Sequence, residues 1–201
     1  MKVGILALQG DFLAHGKMFD RLGVPWREVV TSEALKGLKG LVIPGGESTT
    51  FLKLLDAEFK SAIRGLVERG GVVYGTCAGA ILLARKALNP TQEGMGLLDA
   101  VIERNGYGRQ GQSFVARPGR DRVEGDEIPS ELVFIRAPIF RELGPDVKVL
   151  TLAGGLPVYI RQGPIMATTF HPELTTDPSV HMHFLKMMEN GATSKRHDEP
   201  D

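Results

Sequence analysis

Strand and helix text alternate through the first 88 residues of this chain, and that alternation limits its fold more than any other feature. Residues 2–8, Trp26–Val30, Gly40–Ile43 and 72–75 read as four short strands. The first is an apolar run of the kind found in a central parallel strand. Between the strands, residues 11–22 put Phe12, His15, Met18, Phe19 and Leu22 at helical spacing before Gly23. Helical text also runs from Thr49 to about Val67, and again from Ala80 to Ala84. Such alternation predicts a parallel sheet with helices on both faces.

From about residue 98 the pattern changes. Leu98–Glu103, Ser113–Ala116, Leu132–Ile135, Val147–Leu152, Pro157–Ile160 and Ile165–Phe170 read as short strands between Gly, Pro and charged turns. Asp177–Glu189 reads as a last helix. Residues 190–201 have no apolar pattern and are expected to be a disordered tail. The expectation is one α/β domain over residues 1–189: a mostly parallel central sheet flanked by helices, with a β-rich second half.

Composition narrows the function. Lys and Arg together number 24, as do Asp and Glu, so no overall field favours nucleic acid. The apolar run at the N-terminus ends at Gln9-Gly10-Asp11, too soon for a secretory leader. No stretch reaches the roughly 20 apolar residues of a membrane span. A single cysteine excludes an internal disulfide framework and suits a reducing compartment, so a cytoplasmic location is expected.

That cysteine stands in Gly75-Thr76-Cys77-Ala78-Gly79, where the fourth strand gives way to helical text. Glycines two residues before and two after let the backbone turn sharply, as in the Gly-x-Ser-x-Gly nucleophile elbow. The plainer reading is a buried structural thiol. A nucleophilic thiol needs a base, and the base needs an orienting acceptor. Of five histidines, His171 alone ends an apolar strand, within Phe170-His171-Pro172-Glu173. Pro172 biases His171 toward extended backbone, and in an extended segment residues 171 and 173 project to one side. Taken alone, His-Pro-Glu is a strand-end turn with a solvated glutamate; pairing with the elbow makes it a base and its orienter. Pro44-Gly45-Gly46-Glu47-Ser48 follows the third strand and could turn its amides toward a ligand. With the amide of Ala78 it could hold an oxyanion. A phosphate loop would compete, but no Gly-Lys-Ser/Thr follows.

Together these segments resemble the triad-type (class I) glutamine amidotransferases. The likeness is greatest to the glutaminase-subunit family of pyridoxal 5′-phosphate synthase. Leu8-Gln9-Gly10 with His15, Glu103-Arg104-Asn105 with Tyr107-Gly108-Arg109-Gln110, Phe134-Ile135-Arg136-Ala137-Pro138, and Asp177 with His181 carry the narrower likeness. It spans residues 3 to about 188. Ala14 and Ala80 depart from the family pattern without touching the chemistry.

The resemblance implies a flavodoxin-like fold and hydrolysis of L-glutamine to glutamate and ammonia. It makes Cys77 the nucleophile, His171 the base and Glu173 its orienter, with Gly46 and Ala78 as oxyanion hole. Gly46, Glu47, Ser48, Arg104, Ile135 and Arg136 would hold glutamine, although a structural ion pair is the bland reading of Arg104 and Arg136. The implied partner is a separate synthase subunit of TIM-barrel type, with Gln9, Gly10 and Gly45 near the interface. No metal or cofactor is implied. Rival readings are a glutaminase serving another synthase, such as that for imidazole glycerol phosphate, a cysteine peptidase or deglycase of similar fold, and a non-catalytic binding module.

Overall fold

The computed structural model describes residues 2–108, 113–118 and 129–193. Strands β1 (Val3–Leu6), β2 (Trp26–Val29), β3 (Gly40–Ile43) and β4 (Val72–Thr76) match the four expected ones. Helix α1 (Phe12–Arg21) follows β1. The expected helix over 49–67 is two helices, α2 (Ser48–Leu54) and α3 (Ala57–Glu68). Asp56 makes the break, because its carboxylate accepts from the Phe59 amide at 2.8 Å and starts a new helix there. Beyond the elbow lie α4 (Ala78–Leu83), β5 (Ala84–Leu88) and β6 (Gln92–Glu93).

The second half contains β7 (Leu98–Glu103), β8 (Ser113–Ala116), β9 (Leu132–Ile135), β10 (Ile139–Leu143), β11 (Lys148–Ala153), β12 (Leu156–Gln162) and β13 (Ile165–Thr168). Helix α5 (Ser179–Thr193) closes the described chain. It starts two residues later than expected because Asp177 stands outside it, accepting from the Ser179 amide at 2.9 Å. It also runs past 189, so residues 190–193 of the expected tail are helical; 194–201 lie outside the described residues.

Among the described residues the central sheet has the order β11-β12-β13-β4-β3-β1-β2. The run β2-β1-β3-β4-β13 is parallel throughout, which is the flavodoxin-like strand order, and β12 and β11 extend it antiparallel. Successive strand residues feed opposite cores. Leu41, Ile43 and Val73 join α2, α3 and α4 on one face, while Val42, Val72 and Tyr74 join Phe19 of α1 and Phe184 of α5 on the other. Burial of both faces explains why β1, β3 and β4 read as unbroken apolar runs. The described residues also form a second sheet, β10-β7-β5-β6, and the pair β8-β9.

Parallel strands put their carboxyl ends on one edge, where open α/β sheets bind ligands. Here Gln9 follows β1, Pro44–Ser48 follows β3, Cys77 follows β4 and His171 follows β13. The fold thus brings four distant segments to one edge of four neighbouring strands.

Candidate active site

The elbow has the geometry its glycines foretell. Cys77 takes φ 49° and ψ −99°, a region that side-chain-bearing residues rarely occupy, and its amide bonds the Thr168 carbonyl at 2.8 Å. Helix α4 starts at once, with Ala78 at its first position. The turn requires close helix–strand packing: a Cβ on Gly79 would lie 2.1 Å from the backbone oxygen of Ile43. Gly79→Ala is therefore expected to push α4 off β3 and cost about 3 kcal/mol of stability. Urea denaturation read against the parent chain checks this, and an unchanged midpoint would contradict it.

His171 lies beyond the strand, not at its end. β13 stops at Thr168, and Pro172–Leu174 form a 3₁₀ turn, so residues 171–173 are not extended as expected. Pro172 fits the first position of such a turn, where its fixed φ suits the helix and no amide hydrogen is needed. The turn still brings the two side chains together: His171 Nδ1 lies 2.7 Å from Glu173 Oε1. Burial alone would lower the His171 imidazole. Hydrogen bonds to Cys77 and Glu173, and their charges, more than reverse this and raise it to about 10. Burial likewise pushes the Glu173 carboxyl up, and the His15 and His171 imidazoles bring it below its ordinary value.

The loop after β3 is tied to the loop after β1. Gln9 uses both ends of its carboxamide on Glu47: Nε2 donates to the Glu47 carbonyl at 3.0 Å, and Oε1 accepts from the Glu47 amide at 3.1 Å. The Gly45 carbonyl accepts from the Asp11 amide at 3.3 Å. A trans peptide sets the next N–H opposite that carbonyl, so the Gly46 N–H faces away from α1. A Cβ on Gly45 would meet the His171 ring at 2.4 Å, so the loop can pass the imidazole only as glycine.

Gly46, Glu47, Ser48, Cys77, Ala78, Arg104, Ile135, Arg136 and His171 line one cavity of about 190 Å³, joined by Ile81 and Asn105. Sequence reasoning gave no role to those two. Ile81 stands four residues after Cys77, one turn on and on the same helix face, a spacing that could have flagged it. Glu47 caps α2, accepting from the Thr49 hydroxyl at 2.7 Å and its amide at 3.2 Å. Those bonds hold its carboxyl below the ordinary value, and Arg104 and Arg136 add to the effect. Arg104 is buried and bonded to Gln92 through Nη2, while its Nε has no hydrogen-bond partner. Burial lowers this guanidinium, and the Glu47 charge opposes that. One part of the cavity thus holds two guanidiniums and a carboxylate, and another a thiol and an imidazole. Arg109 and Gln110 lie outside the described residues. Among those described, no group of three or more His, Cys, Asp or Glu could hold a metal, and no helix is long and apolar enough to cross a membrane.

Known proteins give the context for this geometry. The sequence profile of the SNO glutamine amidotransferase family matches residues 5–190. A relative from Koribacter versatilis, pyridoxal 5′-phosphate synthase subunit PdxT, is 49% identical over 197 residues, covering 98% of this chain and 100% of that protein. The protein of the same name from Thermus thermophilus is 49% identical over 189 residues, 92% of this chain and 96% of the relative. A crystal structure of a glutamine amidotransferase superposes with a TM-score of 0.86 at 48% identity, over 93% of this chain and 98% of the other.

Proposed function

This chain belongs to the SNO glutamine amidotransferase family, and on that premise we propose that it is the glutaminase subunit of a pyridoxal 5′-phosphate synthase. It hydrolyses L-glutamine to L-glutamate and ammonia and passes the ammonia to a separate synthase subunit. One observation carries the reading: His171, held by Glu173 at 2.7 Å, shares a cavity with Cys77, the Gly46 and Ala78 backbone, and the Arg104–Arg136–Glu47 charges.

The charge pattern suits an amino acid. Guanidiniums complement an α-carboxylate and the Glu47 carboxylate an α-ammonium, which leaves the side-chain amide to reach the thiol. His171, whose raised value keeps the ring charged, holds the proton taken from Cys77, and the sulfur attacks the amide carbon. The Gly46 and Ala78 amides hold the oxyanion that forms. Collapse breaks the C–N bond, and His171 returns the proton to the departing ammonia. Water, deprotonated by His171, then attacks the glutamyl thioester and releases glutamate and the thiol. Glu173 keeps the imidazole in the tautomer that presents a bare Nε2 to the thiol and stabilises the imidazolium. No step needs a metal or bound cofactor. A free thiol in this role fits the cytoplasm.

Docking of the synthase subunit on Gln9, Gly10 and the neighbouring exposed Leu13 would brace the Gly45–Gly46 peptide through the Gln9–Glu47 bonds. The isolated chain is then expected to be a poor glutaminase that the synthase subunit activates. Glutamate release, with and without that subunit and with Cys77→Ala as control, tests both statements. Turnover that needs Cys77 but ignores the subunit would remove the assigned partner. No turnover in either condition would remove the glutaminase reading.

A further inference from the structure

Behind the cavity lies a polar cluster that the chemistry above does not use. His15 on α1 and His181 on α5 are both fully buried, with His15 Nδ1 2.9 Å from His181 Nε2. Phe19 stands edge-on to His181 and Tyr74 edge-on to His15. On its other side, His15 Nε2 lies 3.3 Å from Thr76 Oγ1 and 3.6 Å from Glu173 Oε2. That glutamate oxygen, turned away from His171, has no hydrogen-bond partner, and neither has His181 Nδ1.

The acceptors around the cluster fix which way the imidazoles point. Thr168 donates to the Phe170 carbonyl at 3.0 Å, an atom that can only accept. The Thr168 oxygen must therefore accept from Tyr74, 2.9 Å away, which commits the Tyr74 proton. Tyr74 therefore gives no proton to this cluster, and the Glu173 carboxylate, 3.6 Å from His15 Nε2, has none to give. Facing that carboxylate, Nε2 of His15 must carry the hydrogen, and Thr76 Oγ1 accepts on the same side at 3.3 Å. Burial lowers both imidazoles from their ordinary value, His181 to about 3, so each carries one N–H. His15 Nδ1 is thus bare and accepts from His181 Nε2–H. A single direction satisfies every contact: His181 to His15, and His15 to Thr76 and Glu173.

We propose that His15, backed by His181, is a positioning residue that aims an N–H at the free oxygen of Glu173 and so holds that carboxylate ionised behind His171. The 3.6 Å separation is long for a hydrogen bond, as such contacts commonly are before substrate binds. The charged and titratable groups around Glu173 are few. His171 shares its turn, Tyr74 and Cys77 come from β4 and its end, His15 and the more distant Asp11 from α1, and His181 from α5. β9 contributes only apolar side chains. With no cation among these except His171, an oriented dipole on the second oxygen matters.

The inference rests on the glutaminase reading, and its test keeps the two apart. Gln places an amide where His has Nε2, whereas Asn places one where His has Nδ1. With the synthase subunit present, His15→Leu and His15→Asn are expected to lower kcat ~10–100-fold, the cost of a misplaced catalytic group, with KM for glutamine unchanged. His15→Gln keeps kcat close to the parent. In parallel, ¹³C NMR follows the Glu173 carboxyl, which titrates below the ordinary carboxylate range in the parent. It should move to higher pH in the Leu and Asn variants and stay in place in His15→Gln. Equal kcat and equal carboxyl titration in the Gln and Asn variants would overturn the proposal, even if His15→Leu fails to fold. If the parent releases no glutamate, the glutaminase reading fails by itself, and the carboxyl titration still decides what His15 does.

Discussion

Cys77→Ala and His171→Ala are each expected to reduce glutamate release by roughly 10⁴-fold or more, and the double variant is expected to be no worse than either one. The reason is that the thiol and imidazole work as one device. Without the thiol there is no covalent intermediate for His171 to assist. Without the imidazole, nothing accepts the thiol proton or protonates the departing ammonia. Measured with the synthase subunit at saturating glutamine, the single and double variants should share one low rate, set by water and the oxyanion amides alone. Additive losses would mean that the two residues act independently, and the triad reading would fall. His171 also touches Gly45 and the 3₁₀ turn, so alanine there loosens packing. Cys77→Ala removes one buried atom and should leave the melting temperature close to the parent, which makes it the cleaner of the two.

The sequence made the parallel sheet and its edge legible because β1, β3 and β4 are buried on both faces, and burial of that kind leaves a plain apolar run. It hid β5 because Ala84-Arg-Lys-Ala-Leu has helix-forming side chains. Its strand conformation comes from parallel pairing with β7, ten or more residues on. The same holds for β10, whose Ile139–Leu143 pairs with β7 across a gap of about 40 residues. Asp56 could have been read as a helix start inside the 49–67 run, since an aspartate before a helical stretch is a capping signal in its own right.

Residues of the candidate site were found for a different reason. Cys77 sits between glycines that only a sharp turn explains, and His171 precedes a proline. Local chemistry of this kind leaves marks on neighbouring residues. The turn at 172–174 shows how a right pairing can come from a wrong conformation: His171 and Glu173 meet through a 3₁₀ turn, not along a strand. His15 and His181 entered only through the family likeness and left no such local mark. They stand 166 residues apart on the apolar faces of two helices, where a histidine looks like any other core residue until the fold sets one against the other.

The second large effect expected is for Glu173→Gln, which should lower kcat by ~10³–10⁴-fold, the size seen when a triad carboxylate becomes an amide and the imidazole tautomer is wrong. The cause is a shortage of acceptors. Glu173 faces an N–H on each side, from His171 Nδ1 and from His15 Nε2, and a carboxylate can accept both. Glutamine has one acceptor and one donor. If its NH₂ faces His171, the imidazole moves its hydrogen to Nε2 and cannot take the thiol proton. If its NH₂ faces His15, that ring must move its hydrogen to Nδ1, against the N–H of His181. Stability should change in a matching way. The His171 imidazole, ordinarily near 6.5, is raised to about 10 in the fold, so the native state keeps a proton that the unfolded chain loses. This stabilisation is complete below pH 6.5 and disappears as pH rises through about 10. Glu173, lowered from 4.5, contributes the opposite window, present above pH 4.5 and lost as pH falls through its native value. Denaturation midpoints of the parent should therefore decline between pH 6.5 and 10, and those of Glu173→Gln should decline less steeply, since Cys77 still raises His171 there. A variant whose midpoint declines as steeply as the parent would show that Glu173 does not hold the His171 charge, and the tautomer argument would fail with it.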